Sequence, residues 1–120
     1  MDIKITPVNI NLLSQQEDYL LKKLKGLAKF SKSFGEKNDL FVTVGKIFPQ
    51  QETGEIFFAE AKFSIPGKDI VCKVKGSSIK EIANRLKLNL RRLMVENRKT
   101  KQSRFRRLAR LFKEKFNFRV

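Results

Sequence analysis

The chain has 120 residues, 41% of them hydrophobic, and carries 27 Lys and Arg against 12 Asp and Glu, a formal net charge of +15. That length holds one compact domain rather than two. With no histidine and a single cysteine, Ser-His and Cys-His catalysis and a structural zinc site are excluded.

The chain order begins with Ile3 and Ile5 alternating with Lys4 and Thr6, a short strand that Pro7 is expected to break. Ser14 with Glu17 three residues on reads as a capping box. Leu20, Leu21, Leu24, Leu27 and Ala28 follow at the spacing of a buried helical stripe, and the helix should end before Gly35. Leu40, Val42 and Val44 alternate with Phe41 and Thr43 as a second strand. Pro49 to Gly54 is a turn. In the next run Phe57, Ala59, Ala61, Phe63 and Ile65 share one face. Pro66-Gly67-Lys68-Asp69 makes a tight turn, after which Ile70, Cys72 and Val74 face inward and Gly76 ends the strand. Ser78 with Glu81 forms a second capping box. Ile79, Ile82, Leu86, Leu90 and Leu93 supply the apolar stripe of a long helix reaching to about residue 100.

The expected fold is therefore α+β, in the order β-α-β-β-β-α. A four-stranded sheet carries two helices on one face, followed by a basic C-terminal tail. Residues 1–101 make the domain and residues 102–120 the tail. In the tail, Phe105, Leu108, Ala109, Phe112 and Phe116 fall at helical spacing, with Arg104, Arg106, Arg107 and Arg110 between them. This is either an appended basic amphipathic helix or a segment that orders on a partner.

Charge is distributed unevenly. Residues 1–75 hold 12 basic and 9 acidic residues, a net +3, whereas residues 76–120 hold 15 and 3, a net +12. Such a field attracts a polyanion, either nucleic acid or an acidic membrane surface. On the second helix Lys80, Asn84, Lys87, Arg91 and Arg98 fall on one stripe, flanked by Arg85, Arg92 and Lys99, with Lys101 just beyond. Arginine adds bidentate phosphate binding to this surface. Lys22, Lys25 and Lys29 extend the patch if the first helix packs beside the second; alone they read equally well as a solvated face. Phe57 and Phe63 alternate as core residues do. Phe41 and Phe58 point to the opposite face, open to base stacking or to packing. Cys72 reads as a small buried hydrophobe.

Catalytic chemistry is not expected. No pair of carboxylates is spaced for acid-base work, and neither Gly45-Lys46 nor Gly67-Lys68 is followed by the Ser or Thr of a phosphate-binding loop. No cofactor or metal is expected. No apolar run approaches the roughly 20 residues of a membrane span. Met1 to Pro7 lacks the pattern of a secretory signal, and one cysteine fits a reducing compartment, so the cytoplasm is the expected location.

The element order, with a Pro-Gly turn before the last strand, resembles the ribosome hibernation-promoting factors and ribosome-associated inhibitors. Ile79 and Ile82 match apolar positions that open the family's last helix. Arg91-Arg92-Leu93 matches its basic run, and Arg98-Lys99-Thr100-Lys101 its basic end. Ala83 and Ile79 stand where the family usually has Asp and commonly Tyr. The resemblance covers residues 1 to about 101. It implies a factor that binds the small ribosomal subunit's rRNA in the channel otherwise held by messenger and transfer RNA. It would inhibit translation while preserving idle ribosomes. The tail lies beyond the resemblance, and its Phe/Leu face is open equally to docking on the core or on a ribosomal protein. Two other readings of the residues stand beside it: a general RNA-binding or ribosomal protein resembling a double-stranded-RNA-binding domain, whose order lacks the first strand, and a membrane-surface protein anchored by residues 103–116.

Overall fold

The computed structural model describes residues 1–35, 38–48, 50, 53–65 and 68–116, with side-chain positions through Arg98. Strand β1 spans Asp2–Val8 and helix α1 Ser14–Lys25. A short helix α2, Ala28–Ser31, and a 3-10 turn, Lys32–Phe34, follow. Strands β2, β3 and β4 span Asp39–Lys46, Phe57–Ile65 and Lys68–Gly76, and helix α3 runs Ile79–Phe116. The sheet order is β1-β2-β3-β4, with β1 parallel to β2 and the other neighbours antiparallel. The fold is α+β, as the alternation of the apolar residues requires.

The inward registers are filled as the alternation predicts. Leu40, Val42 and Val44 from β2, Ala59, Ala61 and Phe63 from β3, and Ile70, Cys72 and Val74 from β4 are buried. Leu20, Leu24 and Leu27 close this core from α1, and Ile82, Leu86 and Leu90 from α3. On β3, an interior strand, two of the three buried side chains are alanines, Ala59 and Ala61, which fill little of the space beneath the helices. Phe63 meets Phe34 edge to face, with centroids 5.8 Å apart. Edge-to-face packing of this kind adds roughly 0.5–1.5 kcal/mol beyond burial.

Four details depart from the sequence expectation. Pro7 does not break β1, because β1 is an edge strand and half of its backbone N–H groups have no strand to meet. The N-cap of α1 is Leu13 rather than Ser14, and its N–H donates to Gln16 Oε1 at 3.0 Å. The first helix stops at Lys25, with Gly26 as its C-cap, and reaches Phe34 in short pieces. There Gly35 takes φ +116°, a region that favours glycine, and the buried Asn38 side chain donates to the carbonyls of Ser31 and Gly35. On α3 Leu93 is only partly buried, and Met94, one residue round the helix, takes the fully buried position.

The second capping box forms with a shift of one partner. Ser78 Oγ accepts the Glu81 N–H at 3.1 Å, while the Glu81 carboxylate accepts from the Ser77 N–H and hydroxyl at 2.9 and 2.6 Å. From this cap α3 continues for 38 residues, about 57 Å at 1.5 Å per residue. Its backbone passes through the expected boundary at residue 101. Pro66 and Gly67, and half of the Pro49–Gly54 turn (Pro49, Gln51 and Glu52), lie outside the described residues.

Candidate nucleic-acid interface

Helices α1 and α3 run side by side in the same direction, as three contacts along their length show. Near the N-terminal ends, Tyr19 lies beside Lys80 and Asn84 of α3, its hydroxyl 3.5 Å from Asn84 Oδ1. Further along, Gly26 lies under Lys87, where an added Cβ would stand 2.8 Å from the lysine Nζ. Beyond it, Arg91 lies over Phe30 at 5.3 Å. The stripe Lys80, Asn84, Lys87 and Arg91 thus borders the seam between the two helices.

Two aromatic rings organise the cations there. Tyr19 has Lys23 at 5.6 Å and Lys80 at 5.7 Å from its centroid, one from each helix. Phe30 has Lys29 at 5.2 Å and Arg91 at 5.3 Å. Each such contact contributes roughly 0.5–1 kcal/mol at an exposed site. They also hold like charges from opposite sides of the seam close together, a costly arrangement that a polyanion relieves.

The remaining expected residues divide by position. Lys22 and Lys25 are exposed on α1, away from its buried leucines, and Lys29 is exposed on α2. At about 100° per residue, Arg85 and Arg92 lie on the flank of α3 away from the seam. Arg85 is engaged within the molecule: it donates to the Lys75 carbonyl and pairs with Glu81 at 2.6 Å and Glu55 at 3.8 Å. Arg92 acts electrostatically on Cys72, whose thiol is pushed up by burial against the opposing effects of Asn89 and Arg92. Arg98 is half-buried, and its Nε has no hydrogen-bond partner among the described residues. The side chains of Lys99, Lys101, Arg104, Arg106, Arg107 and Arg110 lie outside the described residues.

Charge is segregated between the two faces. On the helix side, α1, α2, the 3-10 turn and α3 through Arg98 carry eleven Lys and Arg against four Asp and Glu. The outward registers of the sheet carry Lys4, Lys62, Lys73 and Lys75 against Asp2, Asp39, Glu60 and Asp69. Lys62 pairs with Asp69 at 3.5 Å and Lys73 with Glu60 at 3.7 Å. The sheet face therefore largely neutralises itself, and the unbalanced charge stands on the helices. Phe41, 40% exposed, has Lys4 at 5.6 Å, while Phe58 folds across Gly45.

The sequence reading missed Tyr19, Lys23, Gly26 and Phe30. They fall at i, i+4, i+7 and i+11, a second helical stripe beside the leucines. The spacing is visible in the sequence, but its meaning depends on which side of α1 the other helix occupies. Among the described residues no group of His, Cys, Asp and Glu gathers as a metal set. No described helix is long and apolar enough to cross a membrane.

The chain is similar in structure to a ribosomal subunit interface protein from Coxiella burnetii, with a TM-score of 0.65 at 12% identity over 81% of this chain and 97% of that one. It shares the fold of these proteins. The N-terminal domain of Protein Y from Thermus thermophilus superposes with a TM-score of 0.51 at 19% identity, over 78% of this chain and 99% of that domain. No family model matches the sequence, and no curated protein matches it. The likeness at these identities lies in the path of the backbone.

Proposed function

We propose that the chain is a ribosome hibernation factor, not an enzyme. It binds the rRNA of the small subunit in the messenger and transfer RNA channel, blocks translation there and preserves idle ribosomes in the cytoplasm. The observation that carries this reading is the segregation of charge: eleven cations against four carboxylates on the helix side, and a balanced sheet face behind it. Lys22, Lys25, Lys29, Lys80, Lys87 and Arg91 present their charge to phosphates, with Arg92 and Arg98 beside them. Lys99 and Lys101 continue the series. Arg104, Arg106, Arg107 and Arg110 make residues 102–120 a separate contact with rRNA or a ribosomal protein.

The mechanism is steric occlusion joined to counterion release. The shared fold with a ribosomal subunit interface protein supports the ribosome as the site of binding. The parallel β1, paired to β2 along seven positions, is foreign to a double-stranded-RNA-binding domain and favours this reading over that one.

Sedimentation of ribosomes from growing and stationary cells tests the proposal. The protein is expected with idle particles in stationary cells; its absence from every ribosomal fraction at low salt would reject the reading.

A further inference from the structure

At the N-terminal end of the seam an open pocket of about 290 Å³ lies between α1 and α3, lined by Gln15, Gln16, Tyr19, Ser78, Ile79 and Lys80. We propose that this pocket receives one unpaired nucleobase of the bound RNA, stacked on Tyr19, while Lys23 and Lys80 hold the phosphates on either side of it. The inference rests on the RNA-binding reading above and adds to it a site that recognises a base rather than charge.

The composition of the pocket carries the argument. Phosphate binding requires only cations, and the seam supplies those elsewhere, at Lys87 and Arg91. Here cations stand around an aromatic ring and beside side-chain amides. Its volume falls just below the roughly 300–1,000 Å³ of pockets that enclose whole small molecules, so a single base fits its scale better than a larger ligand. The ring offers a stacking surface. The Lys23 and Lys80 ammonium groups, 5.6 and 5.7 Å from its centroid, lie close enough to remain on the backbone of a stacked nucleotide.

The hydrogen-bonding state of the rim fits a base edge. Gln16 Oε1 is occupied by the Leu13 N–H, which leaves the Gln16 amide N–H groups to donate. Ser78 Oγ accepts the Glu81 N–H, which leaves its hydroxyl hydrogen to donate. With Gln15 and Lys80, the rim presents donors to the ring nitrogens and carbonyls of an unpaired base. Proteins read unstacked RNA bases by this combination of an aromatic face and edge hydrogen bonds.

The molecule provides its own reporter. Tyr19 is the one tyrosine of the chain, and there is no tryptophan, so intrinsic fluorescence reports on this ring alone. The full chain is titrated with a short single-stranded oligoribonucleotide, and with the same ribose-phosphate strand lacking bases. Quenching by the base-bearing strand and little by the abasic one is expected. Equal quenching by both strands, or binding without quenching, overturns the inference and leaves the RNA-binding reading standing. No binding of either strand at low salt overturns both.

A variant pair supplies the second measurement, with folding checked by circular dichroism. Tyr19→Leu is expected to weaken binding of the base-bearing strand by roughly 5- to 150-fold, the range that base–aromatic stacking carries. The loss for the abasic strand should be smaller, and Tyr19→Phe should restore most of the affinity. Equal losses for both strands would mean that the ring serves only to place Lys23 and Lys80, and would overturn the inference.

Discussion

Lys87 of α3 lies across Gly26, the C-cap of α1, so that a Cβ added at Gly26 would stand 2.8 Å from its Nζ and 3.2 Å from its Cε. The bare glycine lets an ammonium group rest on the seam between two helices. The Gly26 backbone is right-handed, with φ −61°, so alanine brings no backbone strain there. What moves is the flexible end of a lysine. Gly26→Ala should change stability by less than about 1 kcal/mol in urea denaturation. Lys87→Gln, which removes the charge itself, should reduce the slope of log affinity for RNA against log salt by about one.

Counterion release gives the interface a salt signature. If about 6–10 phosphates are contacted, affinity should fall roughly 10³–10⁵-fold between 50 and 200 mM salt, by analogy with duplex DNA. Filter binding over that range measures it. A flat profile would mean that the eleven cations of the helix side do not face RNA.

Arg91 and Arg92 are adjacent in sequence but lie on different flanks of α3. Arg91 stands over Phe30 at the seam, whereas Arg92 faces the side of Cys72. Both are exposed, so Arg91→Glu plus Arg92→Glu should weaken ribosome binding and leave the circular dichroism spectrum unchanged. Made separately, Arg91→Glu should cost more affinity than Arg92→Glu. Equal effects would place the RNA across the crest of α3 instead of along the seam.

The cap of α3 predicts a pH dependence. Hydrogen bonds from the Ser77 hydroxyl and N–H, with the charge of Arg85, hold the Glu81 carboxyl below its ordinary value. Its folded pKa is lowered, so its contribution to stability is full above the unfolded value near pH ~4.3 and is lost as pH falls through the folded value. Glu81→Gln should flatten the acid limb of a thermal-melting profile. Ser78→Ala removes the acceptor for the Glu81 N–H and should cost about 0.5–2 kcal/mol at neutral pH.

Cys72 is 7% exposed beneath α3, and burial is the main cause of its raised pKa. The thiolate is the reactive form, so alkylation at neutral pH should be slow in the folded protein and fast in denaturant. Rapid alkylation of the native protein would indicate that α3 lifts readily from β4.

The strands and the two faces of the sheet were legible in the sequence, because alternation with period two is a local property. Ile70, Cys72 and Val74 had to point one way and Val71, Lys73 and Lys75 the other once the segment was extended. The existence of α1 and α3, and the Ser78 cap, were local in the same way. Less was visible where neighbours decide. Pro7 stays in a strand because that strand lies at an edge, and Met94 replaces Leu93 in the core because the exact rotation of α3 depends on the sheet beneath it.

The sequence by itself determined that this protein is a basic α+β domain whose excess charge lies late in the chain, since composition and short-range periodicity survive without any tertiary contact. Only the tertiary structure decided where that charge acts. Packing α1 parallel to α3 set Tyr19 against Lys80, Gly26 under Lys87 and Phe30 against Arg91, partners each 61 residues apart. The pairing of the strands balanced the sheet face and left the cations of the helices unopposed. Charge follows from which residues are present, whereas a binding surface follows from which of them are neighbours.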